Sequence, residues 1–414
     1  MATDLSRKTG LNNPFLSLRH PNFRYYFAGM CVSTIGTWMQ NTAQPWLAYS
    51  MTKSALLLSV VSALQFLPAL FFSLFAGVLI DRLPKKRMLM ITQSLSLVIT
   101  FALWLLVRSG GIQYWHLLIS ASLLGLVNTL DMPLRQSFVV EMVGHDDLMN
   151  AIALNSLTFN VARMIGPSLA GILMGAFGVS SCFLINALSF GAVLVSLFFI
   201  HPVSCSLPEE QPRQGVFACI GEGLKYIVKN ETLMTTLLFM TVVSTFALNY
   251  GVAIPVFATQ ILGLSETGYG FLMSALGAGA LLGALLVAAL SKNGPRRFIL
   301  FFLPALSGLI LIVIGYMNSF YTTALSVAVG GFLFVSYLST ANSNLQIHTE
   351  DRFRGRVMSV YSLVLAGSSP IGNLFVGAMD NLYGARMGFI ASGIAVMIFI
   401  VPIFLYMLAR RNRV

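Results

Sequence analysis

The stretch Gly77-Val78-Leu79-Ile80-Asp81-Arg82-Leu83-Pro84-Lys85-Lys86 is a short charged loop between two long apolar segments. The first segment covers residues 55–80 and the second covers residues 88–107. Each is long enough to cross a bilayer as a helix, because such a helix needs about 20 predominantly apolar residues. This alternation predicts a chain that crosses a membrane, turns and crosses it again.

The composition extends this prediction to the whole chain. Of its 414 residues, 57% are apolar and only 9% are charged, whereas a soluble globular domain has about 25% charged residues. An ordinary soluble protein is therefore excluded. Backbone polar groups in hydrocarbon must be paired within their own segment, so we expect the apolar segments to be helices. Twelve such segments occur, at residues 23–48, 55–80, 88–107, 114–135, 150–175, 179–201, 233–261, 268–290, 297–317, 320–346, 356–379 and 384–409.

The basic residues predict the orientation of the chain. Of the 25 Lys and Arg residues, 21 lie in the termini or in even-numbered connections. Three lie in odd-numbered connections, namely Lys53, Arg108 and Arg386, and Arg163 lies inside the fifth segment. Because basic residues accumulate on the cytoplasmic side, we expect a multi-pass protein of the inner (cytoplasmic) membrane with both termini in the cytoplasm. They form no continuous stripe, which argues against nucleic acid as a partner.

The longest connection divides the twelve segments into six and six. Its second part has apolar residues at helical spacing, namely Phe217, Ile220, Leu224 and Ile227. This spacing predicts an amphipathic helix at the cytoplasmic interface. We therefore expect an N-terminal six-helix bundle at residues 1–201, a linker at 202–232 and a C-terminal six-helix bundle at 233–414.

The two halves resemble each other in sequence. The fourth segment is followed by Pro133-Leu134-Arg135-Gln136 and the tenth ends in Asn344-Leu345-Gln346, and acidic residues come next in both halves. Each half then enters a segment interrupted by Gly and Pro, at Gly166-Pro167 and at Pro370-Ile371-Gly372. Paired halves with interrupted helices in matching places are typical of transporters whose binding site lies between the repeats.

Two motifs carry a resemblance to a known family. Residues 77–86 resemble the signature loop of the major facilitator superfamily, G-x-x-x-D-R/K-x-G-R/K-R/K, with Pro84 where that pattern has Gly. Residues 166–171 are similar to the family's exporter motif, G-P-x-x-G-G, with Ala170 in place of a glycine. The resemblance implies two six-helix bundles around a central cavity, and the second motif implies export.

Further stretches resemble one branch of this superfamily, which includes the enterobactin exporter and macrolide efflux proteins. They lie at residues 22–25, 36–40, 131–136, 150–155, 222–226 and 354–357, so that the resemblance covers essentially the whole chain. Many proton-coupled exporters of the superfamily have an arginine four residues before a glycine in the fourth helix. Here the residue four positions before Gly125 is Ala121.

Charged residues inside the segments are candidates for mechanism, because a charge in hydrocarbon costs at least about 2.5 kcal/mol. Arg163 lies about 20 Å along the fifth helix, near the middle of the bilayer. Asn128, Asp131 and Arg135 form a polar stripe on the fourth helix. Asp131 either exchanges a proton as Arg163 or a cargo molecule approaches, or it pairs with Lys85 or Arg135 in a gate. Arg163 either lies in a cavity, where it binds cargo or polarises a nearby acid, or makes a hydrogen bond between helices.

The remaining candidates are motif residues and uncharged polar or aromatic residues of the helices. For Gly77, Asp81, Arg82, Lys85 and Lys86 we expect a cytoplasmic gate, and for Gly166, Pro167 and Gly171 a helix kink with a close-packed seam. The other predicted cavity residues are Trp38, Gln40, Asn41, Gln44, Asn128, Asn155, Asn249, Tyr250, Tyr337 and Asn342. Each of these also fits a simple helix-packing role.

These features predict a secondary transporter and not an enzyme. No Gly-rich phosphate loop occurs, and neither a metal site nor a cofactor is predicted. We expect a monomer that exports an amphipathic small molecule, such as a siderophore, macrolide or other drug, by alternating access, with proton antiport as the energy source. Two alternatives remain open: a lipid or lysolipid flippase of the same fold, and a non-transporting membrane receptor or assembly partner.

Overall fold

The structure of the chain is a computed structural model, and it describes residues 15–80, 83–144, 146–200, 216–290 and 297–411. These residues form helices joined by short loops. A short 3-10 helix at Leu16–Arg19 precedes fourteen α-helices. They are α1 (Pro21–Thr52), α2 (Ala55–Ile80), α3 (Lys85–Arg108), α4 (Tyr114–Val143), α5 (Leu148–Phe177), α6 (Ser180–Phe199), α7 (Val216–Lys229), α8 (Glu231–Phe246), α9 (Tyr250–Gln260), α10 (Glu266–Leu290), α11 (Arg297–Tyr316), α12 (Phe320–Ile347), α13 (Asp351–Tyr383) and α14 (Met387–Arg411).

The prediction of an all-α membrane protein is confirmed. Within the described ranges, eleven helical segments are long and apolar enough to cross a membrane, with α8 and α9 together forming one of them. Helix α1, which the sequence predicts as a further spanning helix, is 32 residues long and is not among these eleven. Its amides and hydroxyls lower its apolar character, and most of that polar face is buried against other helices.

One predicted helix end and two predicted interruptions differ clearly from the structure. Helix α4 continues to Val143, eight residues beyond the predicted end, and contains Pro133. Helices α5 and α13 continue through Pro167 and Pro370, so the expected interruptions are not breaks. Proline is tolerated inside membrane helices because neighbouring groups satisfy the freed backbone carbonyl. The sequence pattern alone could not show which prolines end a helix.

The seventh spanning segment, predicted to be continuous, is broken between α8 and α9. The side-chain amide of Asn249 donates to the carbonyl of Thr245 at 2.6 Å. That carbonyl would accept the backbone N–H of Asn249 in an uninterrupted helix, so the side chain competes with the backbone at this point. The chain resumes helical geometry at Tyr250.

Helix packing repeats between the first six spanning helices and the last six. In the first set, α2 packs on α4, and α3 on α6. In the second set, α10 packs on α12, and α11 on α14. The two sets meet mainly along two lines, where α5 packs on α10 and α2 packs on α13.

The two ends of the bundle differ. We define the terminal end as the end where α1 begins and α14 finishes, and the opposite end as the other. The side-chain contacts seen between the two sets run from the middle of the helices to the opposite end. In the described part of the chain, α4 makes its helix contacts with α1, α2, α3 and α5 of its own set. Among the described residues, the two sets are thus joined from the middle of the helices to the opposite end.

Helix α7, in the connection between the sets, lies against the start of α13. Glu222 forms an ion pair with Arg356 at 2.6 Å, and Tyr226 stacks on Phe353 with ring centroids 4.3 Å apart. Ile227 is buried, whereas Leu224, predicted to share its apolar face, is exposed. These contacts attach α7 to the second set of helices, and the apolar side chain of Leu224 remains exposed.

Candidate functional site

The opposite end is sealed by aromatic and polar contacts between α1 and the second set of helices. Trp46 stacks on the ring of Tyr269 at 5.1 Å between centroids, and the Tyr269 hydroxyl donates to the carbonyl of Thr42 at 3.1 Å. The amide of Gln260 donates to the hydroxyl of Tyr49 at 2.6 Å. Because Tyr269 is fully buried, this end offers no passage to a solute.

Below this seal, α5 and α10 approach through small residues. A Cβ atom on Gly270 would lie 2.6 Å from the carbonyl oxygen of Pro167 and 2.7 Å from the Cα of Gly171. A Cβ atom on Gly277 would lie 2.4 Å from the carbonyl oxygen of Arg163. Only glycine permits backbones to come this close. Gly171 of the predicted motif thus belongs to a packing seam, and Gly166 packs in the same manner against Trp38 of α1.

Arg163 lies where α1, α5 and α10 meet. It is the sixteenth residue of the thirty in α5, which places it about 22 Å from either end at 1.5 Å per residue. Its guanidinium carbon lies 5.6 Å from the ring centroid of Trp38, and Trp38 makes an edge-to-face contact with Phe159 at 5.5 Å. Within the described residues no acid forms an ion pair with Arg163, whose side chain is half-buried. The site is thus a cation beside two aromatic rings at the middle of the bundle.

Asp131 and Arg135 form an ion pair one helical turn apart on α4. The carboxylate of Asp131 also accepts hydrogen bonds of 2.7 Å from the hydroxyl of Thr92 and from the amide of Gln93 on α3. Asp131 is only 5% exposed. The pairing with Arg135 is one of the two that the sequence predicted, and Arg163 is not a partner. A carboxylate held by three donors joins α3 to α4.

The predicted gate motif is described only in part. Asp81 and Arg82 lie outside the described residues, and Gly77 lies in the last turn of α2. Lys85 forms an ion pair with Glu141 of α4, and Lys86 donates to the carbonyl of Ile200 at 2.7 Å. These two lysines therefore tie the start of α3 to α4 and to the end of α6, all within the first set of helices.

The predicted cavity amides of α1 turn in different directions. The carbonyl oxygen of Gln40 accepts hydrogen bonds from Asn186 of α6 at 2.6 Å and from Thr100 of α3 at 3.3 Å. Gln40 and Gln44 are both buried, so Gln40 joins helices instead of facing the gap between the two sets. The carbonyl of Asn41 accepts from the amide of Gln65 on α2 at 3.4 Å. This placement differs from the cavity role predicted for Gln40.

The remaining candidates also separate into buried and accessible residues. Asn128 is exposed on α4 and Asn155 is half-buried on α5. In the second set, Tyr337 donates to the carbonyl of Thr236 at 3.4 Å and is buried, while Asn342 is half-buried and accepts from Gln346. Asn249 and Tyr250 are buried at the break between α8 and α9. Of the predicted cavity residues, Asn128 is exposed and Trp38, Asn41, Asn155, Arg163 and Asn342 are half-buried, whereas the others are buried and pack helices.

One buried acid was missed because it lies just past the predicted end of its segment. Asp380, in the last turn of α13, is 4% exposed and accepts the backbone N–H of Gly388 at 2.6 Å. Its other carboxylate oxygen has no hydrogen-bond partner in the described part of the chain. The contact joins the end of α13 to the start of α14.

A second missed cluster attaches the chain before α1 to the start of α5. Asp147 accepts from His20 at 2.7 Å and pairs with Arg19 at 2.8 Å. The hydrogen bond from His20 holds the pKa of the Asp147 carboxyl below its usual value. Asn150 accepts from both the backbone and the hydroxyl of Ser17 at 2.9 and 2.7 Å. This cluster is at the terminal end and is distant in sequence, so no local pattern indicated it.

Comparison with known proteins agrees with this architecture. Residues 12–413 match the family model described as "Transmembrane secretion effector", a branch of the major facilitator superfamily. The chain belongs to this family. The match covers nearly the whole chain and confirms the predicted resemblance. Members of the transmembrane secretion effector family are transporters, so the protein is a transporter and not an enzyme.

Curated relatives of this transmembrane secretion effector span nearly its full length. The Staphyloferrin A transporter of Staphylococcus aureus is 23% identical over 375 residues, covering 90% of this chain and 93% of the relative. The Multidrug efflux pump Tap of Mycolicibacterium fortuitum is 25% identical over 396 residues, covering 94% and 96%. These names describe a siderophore transporter and a drug efflux pump.

Solved structures show the same fold at low sequence identity. The nucleoside transporter NupG superposes with a TM-score of 0.75 at 8% identity, covering 93% of this chain and 98% of NupG. A bacterial homologue of the human lysosomal transporter Spinster, in an inward-facing and unoccupied conformation, gives 0.73 at 14% identity, covering 93% and 97%. At these identities the likeness concerns the fold alone.

Proposed function

We propose that this protein exports an amphipathic small molecule across the inner membrane by alternating access. The observation that carries the proposal is the asymmetry of the bundle. Among the described residues, contacts join the two sets of helices from the middle to the opposite end, and Arg163 with Trp38 lies at the middle limit of these contacts. A gap toward the terminal end is part of the proposal. Such a shape corresponds to one of the two states that alternating access requires.

The direction of export rests on orientation and on the relatives. The 21 basic residues in the termini and even-numbered connections support a cytoplasmic terminal end. The gap then opens toward the cytoplasm, where an exporter collects cargo. The two curated relatives, one named for a siderophore and one for multidrug efflux, support an amphipathic organic cargo.

Residues 1–201 and 233–414 move as two bodies in this proposal, joined by the linker 202–232. The attachment of α7 to α13 supports a linker that travels with the second body. Proton antiport is the proposed energy source. The caged geometry of Asp131 supports a positioning role for this acid, since protonation would forfeit its ion pair with Arg135.

Transport into inverted membrane vesicles tests this function. Vesicles from cells producing the protein are given radiolabelled erythromycin, or an iron-free siderophore, and an acid-inside pH gradient. We expect protein-dependent accumulation of at least one of these compounds that collapses with a protonophore. Accumulation that ignores the gradient would contradict antiport and leave transport standing. No protein-dependent accumulation of either cargo class would contradict the proposed function.

A further inference from the structure

Arg163 holds a positive charge at mid-depth of the membrane, and none of the acids in the described ranges forms an ion pair with it. Two buried acids lie within the described helices, and both are engaged elsewhere: Asp131 pairs with Arg135, and Asp380 accepts the N–H of Gly388. The face of Trp38 contributes roughly 0.5–2 kcal/mol to such a cation. This is less than the minimum of about 2.5 kcal/mol that a charge in the bilayer centre costs. An anion is therefore the missing partner.

We propose that Arg163 binds an anionic group of the cargo, and that Trp38 and Phe159 bind the aromatic or apolar part joined to it. The inference rests on the proposed export function and names its substrate class: amphipathic carboxylates. A guanidinium presents a planar fork of donors that matches a carboxylate in two parallel hydrogen bonds. The half-buried side chain of Arg163 and the exposed face of Phe159 leave room for both contacts.

The position of Arg163 links such binding to the movement of the two sets of helices. Its carbonyl lies against Gly277 of α10, and the next turn of α5 meets α10 at Gly270. The side chain points to α1 and the backbone contacts the second set. An anion that bridges Arg163 to groups across the gap would neutralise the charge and draw the separated parts of the helices together.

A matched pair of probes tests the substrate class. Radiolabelled naphthalene-2-carboxylate and naphthalene-2-carboxamide have the same ring and nearly the same shape, but only the first is charged. Binding of each to the purified full-length protein is measured by scintillation proximity. We expect the carboxylate to bind at least about tenfold more tightly, because a hydrogen bond to a charged group contributes about 1.5–3 kcal/mol.

Three variants separate the anion site from a general effect on the protein. Arg163→Gln should bring the affinities of the two probes to within about a factor of two, and Arg163→Lys should retain part of the preference. Trp38→Leu should weaken both probes together, because it removes the apolar contact only. Arg108→Gln, which removes an exposed cation at the end of α3, is the matched control and should change neither affinity.

The outcomes distinguish this inference from the proposed function. Equal affinity of the wild type for both probes, no binding of either probe, or a carboxylate preference that persists in Arg163→Gln would overturn the anion site. Flux of the carboxamide in vesicles would then still support export. Conversely, a carboxylate preference that requires Arg163, without flux of the carboxylate in vesicles, would support the anion site and contradict the export function.

Discussion

Arg135 and Arg163 are both arginines within membrane-spanning helices, yet they are treated differently by the fold. Arg135 has Asp131 one turn away on α4, and Asp131 has further donors on α3. Arg163 has the face of Trp38 and no acid among the described residues. The charge of Arg135 is paired within the protein, whereas the charge of Arg163 is paired only when an anionic ligand is bound. A charge in a membrane helix therefore indicates a binding site only when no other residue of the protein pairs with it.

The largest expected effect comes from breaking the ion pair between Asp131 and Arg135. Arg135→Gln leaves Asp131 buried without its cation, which should lower the free energy of unfolding by about 3–5 kcal/mol. Arg163→Gln removes a charge that has no partner to strand, and the free energy of unfolding should stay within about 1 kcal/mol of the wild type. Denaturant unfolding in detergent measures both. Equal losses of stability in the two variants would remove the contrast between these arginines.

The next effect concerns the seam beside Arg163. Gly270→Val places a side chain against the carbonyl of Pro167 and the backbone of Gly171. These backbone atoms can move away only if α5 separates from α10. We expect transport of the carboxylate probe to fall by about tenfold or more, since the closed opposite end is destabilised. Gly355→Val is the control, because a Cβ atom at Gly355 meets nothing within 4 Å. Loss of transport in both variants would mean that the effect is not one of packing at the seam.

A smaller effect separates the polar residues of α1 by their direction. Gln40→Leu removes the hydrogen bonds to Asn186 and Thr100, and should cost about 1 kcal/mol of unfolding free energy while leaving transport near the wild-type rate. Trp38→Leu should do the reverse, with weak transport and little loss of stability. Unfolding and vesicle flux, measured on the same preparations, check both. A transport defect in Gln40→Leu equal to that of Trp38→Leu would place Gln40 in the pathway.

The smallest effect is at the terminal end. Because the pKa of Asp147 is lowered in the folded protein by His20, its contribution to folding is present above the ordinary Asp pKa of about 3.9 and is lost as the pH falls through the lowered value. Hydrogen exchange of residues 16–20 should therefore be slow and constant between about pH 5 and 6, after correction for the intrinsic rate, and protection should fall only in strong acid. Asp147→Asn should remove this protection at every pH.

The sequence predicted the helices well because membrane-spanning segments are set by composition and length. It also identified Arg163, since a cation between Phe159 and Gly166 in an apolar segment is conspicuous. It could not predict that Arg163 has no acidic partner among the described residues, because ion-pair partners can come from other helices. The pairing of Asp131 with Arg135 could be predicted from the sequence, because the two residues are one helical turn apart.

The sequence could not predict which helix each of two neighbouring side-chain amides would face. Gln40 and Asn41 are adjacent in a polar stretch, yet one faces α3 and α6 and the other faces α2. Only the helix arrangement decides between them. The limit of α4 was also underestimated, because Glu141 looks like a loop residue until Lys85 is placed beside it. Asp380 was missed for a similar reason, since its partner Gly388 belongs to the next helix.

The central claim is that the two sets of helices open at one end as they close at the other. Spin labels at Leu57 and Leu382 report the opposite end, and labels at Gln136 and Gln346 report the terminal end; all four side chains are exposed. Distance distributions are measured in lipid vesicles for the wild type and for Gly270→Val, after replacement of the native cysteines. Gly270→Val should lengthen the Leu57 to Leu382 distance and shorten the Gln136 to Gln346 distance. A longer distance at the opposite end with no change at the terminal end would contradict alternating access.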